Sequence, residues 1–258
     1  MMKGVSFAKG VSEMPFLDHL EELRWRLLWS VLAIVIGAGI GFVLVTHFDV
    51  LGILTLPILP YLDGEKLKYL NPTAPFFITL KLAILVGLIL AAPIVVYQIW
   101  SFLSPALEAH EKRAIVPSLY LGLALFAGGV AMAYFIVLPV TLKFTMSFQT
   151  ESLEQAIVIG EYMSVVIRLL LAFGIVFEMP VVILVLAALG LVTPQFLASK
   201  RRYALAIITV VAAVITPGDV ITITVLMMVP LMLLYEFSIL LARLVTRSRT
   251  AATTTAEA

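Results

Sequence analysis

The sequence predicts an all-α polytopic membrane protein with six transmembrane helices, both termini in the cytoplasm and a concave bundle. Of its 258 residues, 62% are hydrophobic and 13% are charged, and the mean hydropathy is +1.12. Soluble domains are about 45–50% apolar and about 25% charged. Several apolar runs also reach the roughly 20 residues that cross a bilayer, and most basic residues lie on one side of these runs.

Six apolar segments are assigned as spans, at residues 27–46, 76–100, 114–138, 162–191, 203–215 and 220–241. The fifth is short, because about thirteen apolar residues separate Arg202 from Pro217 and reach about 20 Å. The hydrocarbon core is about 30 Å thick, so we expect one low wall and a concave face beside it. No cleavage site of small residues follows the first span, so we expect that span to be retained.

The orientation follows from the basic residues, because cytoplasmic loops of membrane proteins are enriched in Lys and Arg. Twelve of the seventeen lie on one side: Lys3, Lys9, Arg24, Arg26, Lys112, Arg113, Lys200, Arg201, Arg202, Arg243, Arg247 and Arg249. We therefore expect a cytoplasmic extension at 1–14, a membrane domain at 15–243 and a cytoplasmic tail at 244–258. The tail is low in complexity, which predicts disorder.

Several chemistries are not supported by the sequence. The chain has no cysteine, and its three histidines are scattered, which argues against a disulfide, a thiolate site or a histidine metal cluster. No G-x-x-x-x-G-K-[ST] loop for nucleotide phosphates is present. We therefore expect no enzyme activity, no cofactor and no metal, and nothing indicates nucleic-acid binding.

Glu178 and Pro180 lie together inside the apolar run "LLLAFGIVFEMPVVILVLAALG". A carboxylate at this depth should face protein or water rather than lipid. Pro180 has no N–H to donate to the carbonyl of Val176, which leaves a second polar group one turn away. The pair is either a structural feature of a kinked helix or a binding or proton-handling site.

Carboxylates also occur among the basic residues of the cytoplasmic side. Glu21 and Glu22 precede the first span, and Glu111 lies in the loop "ALEAHEKR". They either form solvated salt bridges with neighbouring Arg and Lys or anchor a cationic peptide, because carboxylates pair with guanidinium groups in a bidentate manner. Asp219, at the outer turn of the last hairpin, is suited to cap the following helix.

Motifs along residues 15–243 resemble the TatC family, the multispanning core of the twin-arginine protein translocase. The segments that carry the resemblance are "FLDHLEELRWRLL", "APIVVYQIWSFLSPALEAHEKR", "FAGGVAMAYFIVLP", "LAFGIVFEMPV" and "KRRYALAIITVVAAVITPGDV". They occur in the family's order. The resemblance implies a glove-like bundle that exports folded proteins by using the proton-motive force.

The resemblance also implies roles for individual residues. Glu22 and Glu111 would receive the two arginines of a signal peptide, with Phe102 in the same surface. Glu178 and Thr216 would form an intramembrane polar site for the single-span partners TatA and TatB. The family's outer positions Pro57 and Asp219 would serve structure or assembly.

The implied protein is a receptor in the cell inner membrane that self-associates in a complex and contacts the lipid bilayer. One alternative is a proton-coupled small-solute transporter that uses Glu178, although it leaves the cytoplasmic carboxylates unexplained. An intramembrane aspartyl protease is less favoured, because Asp219 is the only aspartate near the core of a span.

The predicted orientation can be tested by labelling single introduced cysteines, because the chain has none of its own. Cysteines at Gly64 and Glu154 should react with an impermeant reagent added to intact cells. A cysteine at Ala109 should react only after the membrane is opened. The reverse pattern would contradict the orientation.

Overall fold

The computed structural model describes residues 16–62, 64–103, 115–147, 156–216 and 221–256. This part of the chain is helical and contains no β-strand. An isolated bridge joins Lys68 to Val158, with Lys68 N–H donating to the Ile157 carbonyl at 3.0 Å. The all-α prediction is therefore confirmed for the described residues.

The described residues form ten α-helices, a 3-10 helix at Leu56–Tyr61 and a π-helical turn at Ala133–Val137. The α-helices are α1 (Phe16–His47), α2 (Val50–Thr55), α3 (Ala74–Leu103), α4 (Ile115–Met132), α5 (Leu138–Met146), α6 (Ile159–Val176), α7 (Met179–Ala188), α8 (Pro194–Ser199), α9 (Arg201–Ile215) and α10 (Ile221–Ala256).

Five described segments are long and apolar enough to cross a membrane: Asp18–His47, Ala74–Phe102, Pro117–Met146, Ile159–Ala188 and Ile223–Leu244. They correspond to predicted spans 1, 2, 3, 4 and 6. Predicted span 5 corresponds to α9, which has 15 residues and is therefore only about 22 Å long.

The first two spans approach each other closely through small residues. A side chain on Gly37 would place its Cβ 2.5 Å from the Gly87 carbonyl oxygen, and Gly41 and Gly87 likewise abut backbone atoms of Ala83 and Ala38. Such contacts drive association in lipid, where apolar area alone gives no preference for a protein neighbour. Glycine at these positions therefore fixes how α1 packs on α3.

The fourth span breaks where the sequence places Glu178 and Pro180. Helix α6 ends at Val176 and α7 begins at Met179 with Pro180 in its first turn. The Glu178 N–H donates to the Ile175 carbonyl, three residues earlier, at 3.1 Å. The helix breaks here because proline lacks a donor and its ring crowds the preceding turn.

The connection between α1 and α3 is a folded cap made of α2 and the 3-10 helix. Pro57 cannot donate to the carbonyl of Ile53 or Leu54, the residues four and three positions before it. Two tyrosine hydroxyls donate to these carbonyls instead, Tyr134 to Ile53 at 2.5 Å and Tyr162 to Leu54 at 2.7 Å. The tyrosines thereby fasten the cap to the third and fourth spans.

Helix α10 continues through Ala256, into the segment 244–258 for which low complexity predicts disorder. The backbone of the tail is therefore helical up to that residue.

The tyrosine contacts predict a stability difference between otherwise similar variants. Tyr162→Phe should leave the buried Leu54 carbonyl without its hydroxyl donor, which costs about 1–3 kcal/mol of unfolding free energy. Tyr120→Phe is the matched control, because Tyr120 is 67% exposed. Thermal unfolding in detergent should show a lower Tm for Tyr162→Phe alone, and equal values for both variants would contradict the role of the hydroxyl.

Candidate functional site

One end of α1 and the last turns of α3 form a polar and aromatic group, the α1–α3 cluster, which consists of His19, Glu22, Arg26, Gln98 and Phe102. Arg26 donates to Glu22 Oε1 through Nε at 2.8 Å and also through Nη2. Its Nη1 donates to Gln98 Oε1 on α3 at 3.4 Å. The guanidinium group therefore connects the two helices.

The aromatic part of the α1–α3 cluster is a stacked pair. The His19 and Phe102 rings have centroids 4.3 Å apart and are inclined by 14°. His19 Nδ1 lies 3.9 Å from Glu22 Oε2, and that oxygen is buried without a hydrogen-bond partner. Glu22 thus has one oxygen that accepts from a guanidinium group and one buried oxygen that has no hydrogen-bond partner.

The Glu22–Arg26 pair is partly shielded from solvent, with side chains 19% and 23% exposed. Pairs of this kind are screened by salt less than fully exposed pairs. Among the predicted residues of this surface, Glu22 and Phe102 are both neighbours of His19. Glu111 lies outside the described residues, as does Asp219.

The carboxyl group of Glu178 faces α4. Its Oε1 is buried without a hydrogen-bond partner, and a Cβ on Gly122 would lie 3.0 Å from Oε2. Glycine at position 122 therefore leaves the space that this carboxyl group occupies, which we call the Glu178 niche. The side chain points to a protein neighbour, as a carboxyl group at membrane depth requires.

Close packing of α4 on α6 shapes the surroundings of the Glu178 niche. A Cβ on Gly129 would lie 2.6 Å from the Phe173 carbonyl oxygen, and one on Gly174 would lie 2.9 Å from the Phe126 ring. The third and fourth spans thus meet through glycines, and the break before α7 turns Glu178 towards Gly122.

Thr216 belongs to a different environment. It is 5% exposed, its hydroxyl donates to the Ala212 carbonyl at 2.7 Å, and it contacts Met227 Sδ at 3.5 Å. A further hydroxyl, that of Thr224, lies 3.4 Å away. These contacts hold α9 against α10, whereas Glu178 contacts α4, so the two predicted members of the intramembrane site have separate neighbours.

Glu236 forms a contact that the sequence did not reveal. Arg201 donates to its two carboxyl oxygens at 2.7 and 2.8 Å. The Glu236 carboxylate raises the pKa of the Arg201 guanidinium group above its ordinary value. The pair joins the start of α9 to α10 and is exposed to solvent.

Sequence reasoning missed Gln98 and Gly122, because their importance depends on which helices are neighbours. The pairing of Arg26 with Glu22 is the salt bridge that the sequence offered as one alternative for this carboxylate, because a carboxylate and a guanidinium four residues apart share one face of a helix. No group of three or more potential metal-ligating side chains occurs in the part of the chain that is described.

Comparisons with known proteins place the chain in a family. The family profile described as "Sec-independent protein translocase protein (TatC)" matches residues 18–230. The TatC protein of Aquifex aeolicus is 46% identical over 238 residues, which are 92% of this chain and 98% of that protein. The chain belongs to the TatC family.

A second relative and a solved structure support the family match. TatC of Escherichia coli is 36% identical over 232 residues, which are 89% of this chain and 88% of that protein. A crystal structure of a twin-arginine translocase receptor, TatC, superimposes with a TM-score of 0.78 at 45% identity. The superposition covers 88% of this chain and 99% of the chain in that crystal structure.

Family membership together with five apolar helices makes this TatC-family chain a multi-pass membrane protein. TatC proteins are components of a protein translocase rather than enzymes, so the predicted class of activity, protein transport, is confirmed.

Proposed function

We propose that this chain is the receptor subunit of a twin-arginine translocase. It binds the signal peptides of folded precursors and docks TatA-like and TatB-like subunits, and export is driven by the proton-motive force. In this proposal α9 is the short fifth span of a six-span, glove-like bundle in the cell inner membrane, and the protein self-associates in a receptor complex. Both termini lie in the cytoplasm.

The observation that carries the recognition proposal is the partly buried Glu22 carboxylate beside His19, whose ring stacks on Phe102. Glu22 accepts two hydrogen bonds from Arg26, so its position and environment suit a planar guanidinium group. Its second oxygen lies near His19 and the stacked Phe102 ring. Because that oxygen is buried and has no hydrogen-bond partner, an arginine that displaces the side chains covering it would supply the missing hydrogen bond, and an apolar residue of the peptide would contact the aromatic ring.

A second carboxylate is needed for a second arginine, and Glu111 is the proposed partner. Two charge-assisted contacts distinguish arginine from lysine, because only guanidinium has a planar fork of donors that matches a carboxylate. Two such carboxylates would account for a preference for consecutive arginines without any contact to the rest of the precursor.

Replacing either carboxylate tests this proposal. Glu22→Gln or Glu111→Gln should weaken photo-crosslinking of a twin-arginine peptide about five- to hundredfold, because each removes a contact worth about 1–3 kcal/mol. Glu21→Gln is the matched control, because Glu21 is the exposed neighbour of Glu22. Parent-like crosslinking in both variants, with equal affinity for twin-arginine and twin-lysine peptides, would contradict the assignment.

The Glu178 niche is proposed as the place where a partner helix docks. A carboxyl oxygen without a partner is costly in lipid and is relieved by a hydrogen-bonding group on an arriving helix. Such bonds average about 0.6 kcal/mol in membranes. They therefore set the register of the partner and do not by themselves hold the complex together.

Substitutions of Glu178 separate hydrogen bonding from charge. Glu178→Leu should impair transport and change crosslinks to the partner spans while peptide binding at Glu22 persists. Glu178→Gln should be milder if hydrogen bonding is what matters and equally severe if the proton matters. Glu161→Leu, at an exposed acidic position of the same span, is the control.

The transporter alternative predicts a different result. It requires that the purified chain alone take up a small solute into vesicles and that Glu178→Gln abolish this uptake.

The docking proposal for the Glu178 niche has its own contradicting result. If Glu178→Leu shows the export and the partner crosslinks of the parent chain, Glu178 has a structural role only.

A further inference from the structure

We propose that Arg26 is an internal ligand of the recognition carboxylate, which an incoming signal peptide must displace. The proposal rests on the proposed function of Glu22 and adds a residue that sets how strongly a peptide must bind. Arg26 presents to Glu22 the same guanidinium group that a peptide arginine would present.

The geometry of the pair supports this competition. Both Nε and Nη2 of Arg26 donate to a single oxygen, Glu22 Oε1. A bidentate contact from a peptide arginine needs both carboxyl oxygens. It can form only if Arg26 gives up its contacts to Oε1, so the two guanidinium groups compete for that oxygen.

Gln98 provides a position for the displaced group. Its Oε1 already accepts from Arg26 Nη1 at 3.4 Å across the α1–α3 contact. A partly buried charge that loses its partner is costly, and an amide oxygen lowers that cost without binding as tightly as a carboxylate. Gln98 therefore makes displacement of Arg26 possible without release of its charge into an apolar environment.

The consequence is a lowered apparent affinity for every peptide. If Glu22 is free for only a fraction of the time, the observed dissociation constant is the intrinsic constant divided by that fraction. The factor is the same for twin-arginine and twin-lysine peptides. Arg26 thus does not create the preference for arginine. It raises the apparent dissociation constant of every peptide, so that the weaker, lysine-containing peptides no longer bind at concentrations where twin-arginine peptides still do.

The test measures binding of a fluorescent twin-arginine peptide and its twin-lysine version to the full chain in membrane vesicles. Arg26→Gln should tighten binding of both peptides about two- to fivefold, with their ratio preserved. Arg26→Lys should give an intermediate gain, because an ammonium holds Glu22 without the planar fork.

These variants separate competition from simple charge repulsion. If repulsion between Arg26 and the peptide were the cause, Arg26→Lys would bind as the parent does. That result, or weaker or unchanged binding in Arg26→Gln at an unchanged Tm, would overturn the proposal.

Gln98 supplies an independent readout that a purely structural role would not produce. Gln98→Leu should weaken peptide binding in the parent chain, because displaced Arg26 loses its acceptor. It should have no effect in the Arg26→Gln background. Equal effects of Gln98→Leu in both backgrounds would contradict the proposal.

Failure of the proposed function has a different signature. In that case the parent chain would bind both peptides equally, and Glu22→Gln would change nothing. If the parent chain prefers the twin-arginine peptide but substitution of Arg26 leaves peptide binding unchanged, only the internal-ligand proposal is overturned.

Discussion

The close approach of α1 and α3 at glycines is the constraint on which the α1–α3 cluster depends. Gly37 lies opposite Gly87, and Gly41 lies opposite Ala83. Arg26 is eleven residues before Gly37, and Gln98 is eleven residues after Gly87. Because the helices run in opposite directions with the same rise per residue, the glycine contact about 16 Å away places Arg26 opposite Gln98. A shift of one helix along the other would separate these groups, together with the stacked pair of His19 and Phe102.

Glycine has a second use in the spans that follow, where it creates space for a polar group. Gly122 leaves room for the carboxyl group of Glu178, and Pro180 breaks the helix so that this group turns inward. The two features are complementary. The break alone would expose a carboxyl group to lipid, and the space alone would be an unfilled gap between α4 and α7.

The spans were predictable from the sequence because each is a local property of composition. The all-α fold, five of the spans, the shortness of α9 and the kink near Pro180 all follow from runs of apolar residues and from a missing N–H. The family was also predictable, because its motifs are contiguous segments. The contacts between segments were not. Gln98 is an unremarkable amide until the register of α1 on α3 is known, and Gly122 has no evident purpose until Glu178 lies beside it. The pairing of Glu236 with Arg201 likewise depends on how α9 folds back on α10.

The most direct test of this account is the distance between spin labels at the ends of α1 and α3. Cysteines replacing Arg24 and Tyr97, which are both exposed, would be the only thiols in the chain. Gly87→Leu forces a side chain into the backbone of α1, whereas a Cβ on Gly39 would have no atom within 4 Å. The account predicts a distance in Gly39→Leu equal to that of the parent chain and a distance shifted by several ångströms in Gly87→Leu. An unchanged distance in Gly87→Leu would contradict the claim that glycine packing sets the register of α1 on α3.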